Sequence, residues 1–154
     1  MESARRATPA DADRIAALAA GLRAELADHR GADLLDRSQP PLTAAMVGTA
    51  LADPDRTVLV GCLDDVVVGY ALVGVEELRD GTRLAVVGEL GVESEARAVG
   101  VGEALLTEIL AWAGAAGCVG IDAPALPGHR QAKNFFEAHG FTARVLTMHR
   151  ALGG

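Results

Sequence analysis

Between an apolar run and a helical repeat, the sequence places Arg97-Ala98-Val99-Gly100-Val101-Gly102, one cation and two glycines at close spacing. Upstream, Leu84, Val86, Val87, Leu90 and Val92 form an apolar, β-branched run long enough for a buried strand, interrupted by Gly88 and Gly91. Downstream, Leu105, Leu106, Ile109, Leu110 and Ala113 recur at three- and four-residue spacing along one helical face. The glycines therefore open a helix. Free N–H groups and the positive end of the dipole make such a terminus an anion site, and glycine admits a phosphate close to the backbone. Arg97 adds a forked cation. The bland alternative is a plain strand-to-helix turn with a solvated arginine. A dinucleotide fingerprint is excluded, because Leu105 stands where its third glycine would be.

The elements that must position this turn follow from the chain in order. Ala4 to Ala7 predicts a short strand, and Thr8-Pro9-Ala10-Asp11 supplies an N-cap, a proline at the first helical position and an acid at N3. Ile15, Leu18, Leu22 and Leu26 mark a helix ending near Gly31. Residues 33–41 are polar and end in Pro40-Pro41, which predicts a loop, and Leu42 to Leu51 predicts a second helix stopped by Asp53-Pro54. Thr57–Leu63 and Val66–Glu77 are β-rich runs joined by Asp64-Asp65, a hairpin pattern, with a further turn at Arg79-Asp80-Gly81. After the central helix come a strand at Cys118–Ala123 ended by Pro124, Pro127 and Gly128, a helix at Arg130–His139 closed by Gly140, and a last strand at Val145–Leu152.

Matched by Arg97, Gly100 and Gly102, the signature Gln/Arg-x-x-Gly-x-Gly/Ala resembles that of the GNAT superfamily of acetyl-CoA-dependent N-acetyltransferases. Glu89-Leu90-Gly91-Val92 resembles that family's central strand, and Phe135-Phe136-Glu137 with Gly140-Phe141 resembles its last helix and turn. The resemblance spans nearly the whole chain. It implies one domain over residues 1–154, of mixed α/β (α+β) class. A mostly antiparallel sheet of six to seven strands, flanked by about four helices, would splay at its central strand pair. It also implies acetyl-CoA as co-substrate. The thioester arm would lie against Leu90, Gly91 and Val92, with Gly91 at a bulge. Val99, Gly100, Val101, Gly102, Glu103 and Ala104, beside Arg97 and Ala98, would hold the pyrophosphate, and Arg130 and Lys133 are further phosphate partners.

Acetyl transfer to an amine needs a proton acceptor and a leaving thiolate. Glu89 and Asp122 are carboxylates inside otherwise apolar strands, where burial raises a pKa toward that of a useful base. Each has the alternative of a surface or strand-end acid. Many family members carry a tyrosine acid in the last helix, seven residues after an asparagine; here Phe136 and His129 stand at those places. Tyr70 reads as packing, and His129 and His149 as surface histidines. The main reading is a bacterial, cytoplasmic N-acetyltransferase acting on a primary amine by direct attack. The alternative is a catalytically silent acetyl-CoA-binding module with a regulatory role.

Composition narrows the partners. The chain has 154 residues, 50% hydrophobic but only 3% aromatic, so Ala, Leu and Val must fill the core. A formal charge of −7 argues against a nucleic-acid or anionic-membrane partner. Cys62 and Cys118 are far apart with no nearby histidine cluster, which predicts reduced thiols and no metal site. Lys133 is the only lysine among 14 Lys and Arg residues, a bias typical of GC-rich bacterial genes. Val145–Leu152, as a possible edge strand, predicts a homodimer.

Overall fold

The computed structural model describes residues 1–126 and 129–153. Strand β1 (Glu2–Arg6) is followed by a 3₁₀ turn at Pro9–Asp11, then helices α1 (Ala12–Leu26), α2 (Ala32–Ser38) and α3 (Ala44–Ala52). Strands β2 (Arg56–Leu63), β3 (Val66–Glu77) and β4 (Arg83–Val92) come next. A 3₁₀ turn at Ser94–Ala96 leads to α4 (Val101–Ala115), β5 (Cys118–Asp122) and α5 (Arg130–Ala138). The five strands lie in chain order in one sheet, antiparallel except for the parallel pair β4–β5. None of the described helices is long and apolar enough to cross a membrane.

Both faces of the sheet are covered, which explains why β2 reads as an unbroken apolar run rather than an alternation. Val58, Val60, Cys62, Tyr70 and Leu72 pack with Ile15 and Leu18 of α1 and Val47 and Ala50 of α3. Leu59, Ala71, Val73, Ala85 and Val87 pack on the other face with Val101, Leu105, Ile109 and Ala113 of α4. Helix α4 approaches β2 at Gly61, where a Cβ would stand 2.5 Å from Val101 Cγ1 and 3.0 Å from Leu105 Cδ1.

Local signals act as the sequence predicts. The Thr8 N–H donates to the Asp11 carboxylate at 2.8 Å, and the Met46 N–H donates to Thr43 Oγ1 at 3.2 Å at the start of α3. Asp64 and Asp65 are both left-handed, φ 49° and 67°, which makes a two-residue hairpin whose twist matches its strands.

Three expectations are corrected. Among the described residues the sheet has five strands rather than six to seven, because Val145–Leu152 lies outside it without regular structure. Five α-helices flank it rather than about four. The extra one is α2, inside the segment predicted as loop: Gly31 at φ 85° restarts the chain, and Arg23 of α1 binds Asp36 and the Gln39 carbonyl to hold the short helix in place. These tertiary contacts offset the weakness of a seven-residue polar helix. The strand stops expected at Pro127 and Gly128 lie outside the described residues.

Candidate active site

The site begins where β4 loses one of its neighbours. On its β3 side β4 stays paired through Val92, opposite Gly69, whereas pairing with β5 ends at Val86 opposite Asp122. From Val87 to Val92 the edge facing β5 therefore has no strand on it, and Arg97 Nε donates to the Val92 carbonyl at 2.9 Å. Pairing stops here because β5 itself ends at Asp122, at the place where the resemblance implies a splay, and the bulge expected at Gly91 is at Gly88. Leu72 pairs with Glu89 and Val73 with Val87, leaving Gly88 as the extra residue. Gly91 pairs with Tyr70, and a Cβ there would collide with Leu22 of α1. Its small size serves helix packing.

Past the splay, Ala98 (φ 66°) and Gly100 (φ 90°) turn the chain into α4 through two left-handed residues. No side chain caps the helix, and its first N–H groups have no intrahelical partners. Val101 is buried, Ala104 donates its N–H to the Gly100 carbonyl at 3.0 Å, and Val99 and Glu103 are exposed. A Cβ on Gly102 would meet Phe135 at 3.2 Å, so this glycine also lets α5 pack against the start of α4.

The carboxylates part company. Glu89, partly buried, accepts a 2.6 Å hydrogen bond from the Tyr70 hydroxyl, and Tyr70 itself is buried, with 3% of its surface exposed. Burial, then the Glu89 charge, drives the Tyr70 pKa far above its ordinary value. Tyr70 is thus a fixed donor rather than mere packing. Asp122 accepts from Arg144 Nε at 2.8 Å and from a second guanidinium nitrogen, and this pairing lowers its pKa. The expectation that burial raises it is overturned, because a forked cation outweighs partial desolvation.

Arg97 joins the site to α1. Its Nη2 donates to Glu25 at 2.6 Å, so the expected phosphate cation is held between a carboxylate and a strand carbonyl. Beside it an open cavity of about 280 Å³ is lined by Glu25, His29, Arg97, His129, Arg130 and Gln131. The His29 and His129 rings meet edge to face, centroids 5.3 Å apart. Burial, followed by His29 and Arg97, lowers the His129 pKa. Of the remaining expected residues, Lys133 pairs with Glu137 at 2.9 Å, Phe136 is buried between Phe135 and Phe141, and His149 is exposed. Glu25 and His29 were not singled out from sequence. Their signal is weak: Glu25 lies in the last turn of α1 and His29 just past its end, and they gain meaning only once the turn at Arg97 packs beside them. Among the described residues no three His, Cys, Asp or Glu side chains are grouped to hold a metal.

Among solved structures, a mutant of the BH1408 protein from Bacillus halodurans is similar at 22% identity, covering 97% of this chain and 98% of that one, TM-score 0.84. The aminoglycoside acetyltransferase HMB0005 from an uncultured soil metagenomic sample is similar at 15% identity over 99% of each chain, TM-score 0.71. Glucosamine-6-phosphate N-acetyltransferase from Arabidopsis thaliana is similar at 15% identity over 99% of each chain, TM-score 0.69. At these identities the likeness is one of fold. No curated protein matches by sequence. The profile of the Acetyltransferase (GNAT) family matches residues 22–141, from the end of α1 through the splay, the glycine turn and α5. By that match over most of its length, the chain belongs to the acetyltransferase (GNAT) family.

Proposed function

We propose that the protein moves an acetyl group from acetyl-CoA to the primary amine of a small molecule by direct attack. The observation that carries this reading is the unshared edge of β4 from Val87 to Val92, lying directly before a glycine-opened helix N-terminus. An edge that no strand pairs suits an extended amide-bearing arm, and uncapped N–H groups suit a pyrophosphate. Leu90, Gly91 and Val92 would hold the arm. Val99 to Ala104 would hold the pyrophosphate, with Arg97, Ala98, His129, Lys133 and Phe136 around them. Ala98 supports the reading too, since left-handed strain at a non-glycine residue tends to mark functional turns.

When bound, acetyl-CoA supplies an activated acetyl thioester. Glu89, oriented by Tyr70, accepts the proton that the amine must lose, directly or through water. Asp122 serves as an ion-paired strand end, since its lowered pKa makes it a poor base. With Phe136 apolar, the sulfur leaves as a thiolate, tolerable for a thiol of pKa about 8.5. Fold similarity to an aminoglycoside acetyltransferase and to a glucosamine-6-phosphate N-acetyltransferase supports a small-molecule acceptor. Two free thiols fit a reducing cytoplasmic setting.

The test is release of free thiol from acetyl-CoA with a panel of aminoglycosides, amino sugars, polyamines and peptide N-termini. Amine-dependent release is expected. Calorimetric binding of coenzyme A without turnover of any amine would instead favour the silent module, the reading that Phe136 in the acid's place supports.

A further inference from the structure

The open cavity of about 280 Å³ at the end of α1 is walled by more cation-forming side chains than a coenzyme pyrophosphate calls for. Arg97, Arg130, His29 and His129 line it against the single carboxylate of Glu25, and Arg97 already neutralises that carboxylate. Arg130 pairs with no carboxylate among the described residues. His29 Nδ1 is shut from solvent and has no hydrogen-bond partner among the described residues, a place where a bare lone pair costs less than an unpaired N–H. When the ring is neutral its proton therefore sits on Nε2, which leaves a donor for a ligand. The surroundings are positive: after burial, His29 and then Arg97 hold the His129 pKa down.

The two faces of the sheet decide which substrate the cavity serves. A Cβ on Gly91 would meet both Leu22 of α1 and Tyr70, and the Tyr70 ring belongs to the core packed with α1 and α3. Glu89, two residues back on the same strand, faces the same side and is bonded there by the Tyr70 hydroxyl. Glu25 and His29 follow Leu22 along α1 and the turn after it, so the cavity lies on the Glu89 side. The start of α4, which would take the pyrophosphate, packs through Val101 on the opposite face. We propose that the cavity is an oxyanion subsite for the acceptor, so that the small molecule presenting its amine to Glu89 also bears a phosphate or carboxylate held by Arg130 and the His29 Nε2–H. This deepens the acetyltransferase reading above and rests on it. One turn of α1 beyond Leu22 and two strand residues from Gly91 to Glu89 separate the two groups by on the order of 10 Å. Amino sugar phosphates and long ω-amino acids have that reach, whereas α-amino acids are too short. The cavity is at the lower end of the roughly 300–1,000 Å³ of small-molecule clefts, a size for a head group and not for a second coenzyme.

The test is calorimetry on the coenzyme A-saturated protein with two matched pairs, glucosamine-6-phosphate against glucosamine and 6-aminohexanoate against hexylamine. In at least one pair the acid-bearing member is expected to bind about tenfold tighter or more, the worth of a hydrogen bond to a charged group. Arg130→Gln and His29→Ala, both folded by circular dichroism, should each remove most of that preference. Equal or undetectable affinities within both pairs overturn the proposal, as does a preference that survives in either variant. So does a loss of coenzyme A affinity in Arg130→Gln with the amine preference intact, because the cavity would then hold a phosphate of the coenzyme. Thiol release separates the subsite from the activity. Release with amines that shows no preference for the acid-bearing members sinks the subsite and leaves the acetyltransferase, whereas oxyanion-dependent binding without release from any amine keeps the subsite and sinks the activity.

Discussion

Glu89 and Tyr70 act as one unit, because a partly buried carboxylate with a single fixed hydrogen-bond donor can neither rotate freely nor lose its partner to solvent. Glu89→Gln should lower kcat by about 10²- to 10⁴-fold in the thiol-release assay, with little change in KM for acetyl-CoA. Tyr70→Phe removes one hydrogen bond to a charged group and should cost about tenfold. Tyr70 is the only tyrosine, and its pKa lies far above the usual range. The rate should therefore rise with pH and stay level near pH 10, where an essential tyrosine of ordinary pKa would make it fall. An alkaline fall abolished by Tyr70→Phe would contradict that assignment. Arg97 carries a different expectation. Glu25 neutralises it across a half-exposed contact, and such pairs are worth about 0–1 kcal/mol. Glu25→Gln should therefore tighten coenzyme A binding by up to about fivefold in calorimetry, through release of the guanidinium toward phosphate.

At the scale of elements, turns decide how the site is framed. The β2–β3 hairpin sets the register that places Tyr70 opposite Val60 of β2, yet it holds Asp65 at φ 67°, a conformation costly for most side chains. Asp65→Gly should stabilise the protein by about 0.5–1 kcal/mol in urea denaturation, the relief of strain exceeding glycine's added freedom in the unfolded chain. Catalysis should change little, since Asp65 is exposed and its turn lies beyond the end of β4, past Gly69 opposite Val92. The glycine turn before α4 is the contrasting case. Its left-handed Ala98 belongs to the proposed binding loop, so relaxing it would trade binding geometry for stability.

For the whole molecule, pH acts through groups with depressed folded pKa values. Asp11 is lowered by its Arg5 partner and Asp122 by Arg144, while His129 is lowered chiefly by burial. A depressed pKa contributes stability above the unfolded value that is lost as pH falls through the folded one. Unfolding free energy from denaturant titrations should thus decline in two stages on acidification, first below about 6.5 as His129 must charge, then below about 3.8 as the aspartates protonate. His129→Gln should remove the first stage and leave the second.

Most of the architecture is set by short-range rules, and so the sequence alone determined it. The Thr8–Asp11 cap, the Asp64-Asp65 hairpin, the Asp53-Pro54 stop and the α4 periodicity each depend on residues a few positions apart. The Arg97-Gly100-Gly102 turn was legible for the same reason. Tertiary structure decided what depends on register and on neighbours remote in the chain. It placed the bulge at Gly88 rather than Gly91, because where a ladder takes an extra residue depends on the partner strand, which the pattern of one strand does not specify. It joined Glu89 to Tyr70 across 19 positions and Asp122 to Arg144 across 22, reversing the expected pKa of the latter carboxylate. It also made a helix of the polar α2 through contacts from α1, and left Val145–Leu152 outside the sheet. A strand is a relation between two chains of backbone, and sequence pattern specifies only one of them.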